Sequence, residues 1–291
     1  MPLTTTQQIL DTAAANRAGV GAFNVITLEY AEAIVEGAEA ADQPVILQLS
    51  ENATKFHRGN PRPIAAAMRA LAETATIPVS LHLDHVEDEE LLHASAAAGF
   101  SSVMFDAGQL AYEANVAATS AAALWAHAQG MSIEAELGYV GGKDTQAQSA
   151  HAVGVRTDPE QAAEFVAATG VDALAVAVGS SHAMSSRTAS LDRDLIQRLA
   201  QAVGVPLVLH GSSGVPEEDL AAAIESGMTK VNVGTILSIA YTQAVRHALK
   251  QNPQLSDPRK YLDPARNNIS GQVQDYLRVI SSKNSAPDAS R

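Results

Sequence analysis

Gly21-Ala22-Phe23-Asn24-Val25-Ile26-Thr27-Leu28-Glu29 is the passage on which the fold turns. Its first half, Gly21–Val25, reads as a strand, and Leu28–Ala41 reads as the helix that follows. An open doubly wound sheet that binds a dinucleotide needs a G-x-G-x-x-G turn at this junction. Ile26-Thr27-Leu28-Glu29 contains no glycine, so no such site is marked. The same strand-then-helix alternation recurs with strands at Pro44–Leu49, Pro78–Leu83, Ser102–Phe105, Ser132–Leu137, Ala173–Val178, Pro206–Leu209 and Lys230–Val233. Helical segments begin near Arg62, Asp88, Ala111, Asp158, Asp192, Glu217 and Thr235. Eight strands alternating with eight helices predict a parallel sheet, and eight is the number at which such a sheet closes. The expected fold is α/β, a single (β/α)8 TIM barrel over residues 1–281 with an N-terminal helix (Thr4–Asn16) and a C-terminal helical extension. Residues 282–291 read as a flexible tail. The strands read as continuously apolar, the pattern of a sheet covered on both faces.

Composition narrows the function. The 291 residues carry 19 basic and 32 acidic side chains, a formal charge of −13. That balance argues against a nucleic-acid binder and disfavours an anionic membrane surface. With 46% hydrophobic and 18% charged residues the chain can bury a large core. No cysteine is present, so neither a disulfide nor a thiolate site exists and any metal must sit on histidine and carboxylate. The polar N-terminus lacks a basic and an apolar signal region, and no run approaches the ~20 residues of a membrane span. A cytoplasmic protein is expected.

Chemistry in a barrel sits at the C-terminal ends of the strands. Those positions hold Asn24, Ser50 with Glu51, Asp84-His85, Asp106, Glu136, His182, His210 and Asn232. His85, His182 and His210 follow three different strands and could converge as three neutral imidazoles on one divalent cation. His82, two residues before Asp84, faces the same way as that carboxylate and reads as a residue packed in the lumen. His210-Gly211-Ser212-Ser213-Gly214 and Val231-Asn232-Val233-Gly234-Thr235 each follow a strand and precede a helix. Such turns let backbone N–H groups approach a phosphate, and barrels place phosphates after strands seven and eight.

The residues resemble the class II, metal-dependent ketose-bisphosphate aldolases, the fructose- and tagatose-bisphosphate group. The likeness is carried by Gly21–Val25, His82-Leu83-Asp84-His85, Ser101–Asp106, Glu134-Ala135-Glu136-Leu137-Gly138 with Gly141-Gly142, Val178–His182, Leu209–Val215, Lys230–Thr235 and Asp257–Tyr261, in order along nearly the whole chain. It implies reversible cleavage of a ketose bisphosphate to dihydroxyacetone phosphate and an aldehyde phosphate, through an enediolate stabilised by zinc. By that likeness His85, His182 and His210 hold the metal, and Asp84 exchanges the proton on the aldehyde oxygen. Asp106 and Glu136 match carboxylates near a second metal or monovalent cation. Gly211, Ser213, Asn232 and Thr235 match the grip on the dihydroxyacetone phosphate portion, and Asn24 and Ser50 line the pocket. Asp144 matches the mobile-loop carboxylate that moves the carbon-bound proton. A homo-oligomer, dimer or tetramer, is also implied.

The chain departs from the family pattern at four positions. Ala183 and Ser212 stand where glycine is usual, Asp144 where glutamate is usual, and Gly234 where fructose-specific members carry Asp or Asn. The last leans towards tagatose-1,6-bisphosphate or another ketose phosphate. Arg187, Arg259 and Arg278 are candidates for the distal phosphate. A Schiff-base aldolase would need a lysine at the catalytic end of a strand, and only Lys230 touches a strand, read here as its first residue. A non-catalytic sugar-phosphate-binding barrel would not need the histidine set. A serine hydrolase lacks its G-x-S-x-G elbow.

Overall fold

The structure, a computed structural model, describes residues 2–138, 156–181 and 187–281. Helix α1 (Thr6–Asn16) precedes β1 (Val20–Asn24), α2 (Leu28–Ala41), β2 (Val45–Ser50), α3 (Glu51–Phe56) and α4 (Arg62–Thr74). There follow β3 (Val79–Val86), α5 (Glu89–Ala98), β4 (Ser102–Phe105), α6 (Tyr112–Ala128), β5 (Ser132–Leu137), α7 (Pro159–Thr169) and β6 (Ala173–Val176). The chain ends with α8 (Arg193–Ala202), β7 (Leu207–Leu209), α9 (Glu217–Glu225), β8 (Met228–Val233), α10 (Thr235–Gln251) and α11 (Arg259–Ser281). All eight strands are parallel and neighbours in sequence order, with β1 pairing β8 to close the barrel. No described helix is long and apolar enough to cross a membrane.

Local chemistry sets these boundaries. Thr5 and Gln8 form a capping box on α1, and Asp88, Asp158 and Asp192 accept backbone N–H bonds at the starts of α5, α7 and α8. The short α3 was not expected. Ser50 terminates β2 and at once caps that helix, its Oγ accepting the Ala53 N–H at 3.1 Å. The C-terminal extension is a single helix, α11, which packs along α2 and α10.

Two sequence expectations are corrected. The strands are not apolar on both faces; they alternate. On β3, Leu81 and Leu83 point into the helix-covered core while Ser80, His82 and Asp84 point into the barrel. On β5, Ile133 and Ala135 face the helices, and Glu134 and Glu136 face inward. The lumen is apolar only towards its N-terminal end, where α1 plugs it with Ile9, Leu10 and Ala13 against Ala22, Ile46 and Val208. Nor is Lys230 the first residue of its strand. β8 begins at Met228, which carries the lysine one full pleat into the fully buried lumen.

Candidate active site

Strand β3 delivers two adjacent polar residues to the mouth, which strict alternation forbids. With His82 and Asp84 inward, His85 should point outward. The β3–β4 register shifts between Leu83 and Val86, and His85 takes the left-handed conformation at φ +50°. A bulge of this kind re-aims a side chain at little length, and a left-handed non-glycine residue is a strained conformation typical of functional sites. His85 thereby comes to the mouth, its ring edge-on to His210 with centroids 4.8 Å apart.

Asp84 is buried among polar groups. Gln48 Nε2 donates to its Oδ2 at 3.0 Å and to Asn24 Oδ1 at 2.8 Å, and Asn232 Nδ2 lies 3.5 Å from Oδ1. Burial alone would raise its pKa, but the charges of His85, Lys230 and His210 outweigh it and hold the carboxyl below its usual range. Asp84 is therefore ionised at neutral pH. The sequence did not single out Gln48; its inward register beside Asn24 on β1 was the available signal.

His210 lies fully buried between two carboxylates. Its Nε2 sits 3.1 Å from Glu134 Oε1 and its Nδ1 2.8 Å from Glu136 Oε2. Burial lowers its pKa, but Glu134 and Glu136 overcome burial and raise it to about 9. His82 behaves oppositely, pushed down to about 3 by burial and the Lys230 ammonium. These shifts predict the pH profile of chelator-stripped protein. The His210 contribution is complete below its ordinary 6.5 and is lost as pH rises through about 9. Neutral His82 is penalised as pH falls below 6.5 towards 3, because the unfolded chain binds that proton first. The unfolding midpoint should be highest near pH 6.5, falling as pH rises from there to about 9 and falling again as pH drops from there towards 3. A midpoint that stays level or rises between pH 6.5 and 9 would contradict the pairing of His210.

Asp84, His85 and His210 each offer a ligand atom, and the three lie within 4.8 Å of one another. Both imidazoles also carry a carboxylate on a ring nitrogen, since Asp106 Oδ2 lies 3.0 Å from His85 Nδ1 and Glu134 faces His210 Nε2. A carboxylate behind each histidine is the usual arrangement around a metal, where it fixes tautomer and ring direction. The residues present fit a divalent cation. Asp106 also accepts the Gly108 N–H at 3.2 Å, so the structure shows it bracing His85 and its own loop. His182 and Asp144 lie outside the described residues.

The turn after β7 is built close. Gly211 has φ +67°, and a Cβ there would stand 2.5 Å from the Ser181 carbonyl oxygen. Ser212 Oγ donates to the Asn232 carbonyl, and Ser213 Oγ accepts the Ile236 N–H at 3.2 Å, tying this turn to the start of α10 at Thr235. Two strand ends and one helix N-terminus thus form a single rim suited to an anion. Gly211→Ala should cost about 1–3 kcal/mol by strain and crowding. It should also raise KM more than it lowers kcat; unchanged stability and KM would show that the close approach is unnecessary. Gly234 is small for a different reason: a Cβ there would meet Asn24 Nδ2 at 2.7 Å, so the Asn24 amide fills the space a larger residue would take.

A family model described as class II fructose-bisphosphate aldolase matches residues 4–285. The chain belongs to that family. It is 38% identical over 288 residues to a fructose-bisphosphate aldolase of Geobacillus stearothermophilus, covering 98% of this chain and 99% of that one. It is likewise 38% identical to a fructose-bisphosphate aldolase of Staphylococcus aureus (strain Mu50), over 98% of this chain and all of that one. Among solved structures, the YdjI aldolase of Escherichia coli K12 superposes with a TM-score of 0.82 at 31% identity, covering 97% and 98% of the two chains. As a class II aldolase the protein is a lyase of a metal-dependent family. The Schiff-base reading fails on geometry as well, because Lys230 is ion-paired to Glu134 at 2.7 Å deep in the lumen.

The three arginines are now distinguishable. Arg187 bonds Glu217 at 2.5 Å and lies over the Tyr276 ring. Arg259 pairs with Asp257, and Arg278 is 3.6 Å from Asp275; both side chains are largely exposed. Glu51, grouped with the strand-end candidates by position, instead accepts the Glu87 and Asp88 N–H groups at 2.7 and 3.1 Å and so braces the loop just beyond His85.

Proposed function

We propose that this aldolase cleaves a ketose 1,6-bisphosphate, fructose- or tagatose-, to dihydroxyacetone phosphate and an aldehyde phosphate, using zinc held by His85, His182 and His210. The observation that carries the reading is the meeting of Asp84, His85 and His210 within 4.8 Å at the barrel mouth. A bound zinc supplies an electrophile that stabilises the enediolate left by C–C cleavage. Asp84, ionised and braced by Gln48, takes the proton of the hydroxyl on the carbon that becomes the aldehyde. The carbon–carbon electron pair moves to the enediolate, whose carbon is then protonated by Asp144. Glu136 lies 2.8 Å from Nδ1 of His210, and Asp106 holds His85.

Gly211, Ser213, Asn232 and Thr235 receive the dihydroxyacetone phosphate end, with Asn24 and Ser50 at the pocket wall. Helix N-termini and a local cation make the site attractive to phosphate although the chain carries −13 overall. Gly234, with the Asn24 amide against it, supports acceptance of the tagatose isomer alongside the fructose one. We place the catalytic unit in residues 1–281, in a cytoplasmic homo-oligomer.

Cleavage of both bisphosphates should be measured side by side, before and after chelation and after zinc is restored. Loss on chelation with recovery on zinc supports the reading. Full activity after exhaustive chelation would remove the metal, and binding of bisphosphate with no turnover by zinc-loaded protein would make it a non-catalytic barrel.

A further inference from the structure

Below the mouth, the lumen holds a fully buried ammonium. Lys230 is fully buried, with Nζ 2.7 Å from Glu134 Oε2 and 3.3 Å from His82 Nε2. His82 is fixed from its far side, its Nδ1 2.7 Å from Ser102 Oγ, which donates in turn to Thr6 Oγ1 on the α1 plug at 2.6 Å. The layer beneath is filled by Ala22, Ile46 and Val208, so packing alone could be met by apolar side chains here too. A buried ammonium is strongly unfavourable unless its partners are held in place. It is therefore a feature to be explained by what it positions.

The second oxygen of Glu134 supplies the explanation. While Oε2 is held by Lys230, Oε1 lies 3.1 Å from Nε2 of His210. An imidazole presents a lone pair from one nitrogen only, and the hydrogen bond made by the other decides which. The nitrogen left on the side of Glu136 is Nδ1, 2.8 Å from that carboxylate at the mouth. His82, Asp84 and Glu134 would by themselves offer a cation three ligand atoms within 4.8 Å. Lys230 already brings a positive charge against two of them.

We propose that Lys230 is a positioning residue, clamping Glu134 against Nε2 of His210 so that the imidazole presents Nδ1 to the metal. This rests on the reading of His210 as a metal ligand.

Zinc affinity of the full-length protein, measured by competition with a chromophoric chelator, tests it, together with the visible spectrum of the cobalt-substituted form. Lys230→Met and Glu134→Leu should each weaken zinc binding by about 10–100-fold and shift the cobalt bands. Variants that keep the wild-type fold, affinity and cobalt spectrum would overturn the proposal. Should either variant fail to fold, nitrogen-15 spectra of zinc-loaded wild-type protein still decide. A proton on Nε2 of His210 supports the clamp, and a proton on Nδ1 overturns it. Wild-type protein that takes up no zinc would instead overturn the metal reading beneath it.

Discussion

Asp84→Asn should yield a folded protein that retains its metal and cleaves bisphosphate about 10²–10⁴-fold more slowly. Asparagine keeps the shape of the side chain and an oxygen to accept from Gln48 Nε2, which now lies 3.0 Å from the carboxylate. It cannot take a proton. The carboxyl is held in its charged form by His85, Lys230 and His210 against the opposing effect of burial, so it is ionised at neutral pH. Its neutral replacement leaves those positive neighbours less compensated, and a modest fall in stability should accompany the larger fall in rate. Turnover near the wild-type value would remove Asp84 from the reaction. Lost metal together with lost turnover would mean that the carboxylate serves chiefly as a ligand.

His210→Ala should remove metal and activity together. The ring lies fully buried between Glu134 and Glu136, so truncation leaves a void and takes away the partner of both carboxylates. Glu134 keeps Lys230, but Glu136 loses the imidazole 2.8 Å away. The expected result is a drop in cleavage at least as large as in Asp84→Asn, with metal content after gel filtration well below one ion per chain. Retention of stoichiometric metal would show that His85 and its neighbours hold the ion without His210.

The barrel was readable because eight strand-sized segments, several of them opening after Gly or Pro, alternate with helical segments along the chain. Strand-end polar residues such as Asp84, His210 and Asn232 were readable because the fold fixes which end carries chemistry. What escaped the sequence has a common physical cause, the local geometry of β-pairing. The shift between Leu83 and Val86 that turns His85 into the mouth leaves no mark in residue type. Lys230 stands first in the strand read from the sequence, Lys230–Val233, whereas pairing with β7 begins at Met228. Glu134 was quoted only as part of a motif. Its alignment with Lys230 and His210 depends on three strands, and no spacing along the chain encodes that. Ser50 and Glu51 illustrate the converse, since position marked them as site residues and their visible bonds cap α3 and brace the loop after β3.

The most direct test of the central claim is anomalous diffraction at the zinc edge from crystals of zinc-loaded, active protein. The account predicts one strong peak at the barrel mouth, within coordinating distance of His85, His182 and His210 and beside Asp84. A fully active crystal with no peak there, or with its zinc bound elsewhere on the chain, would contradict it.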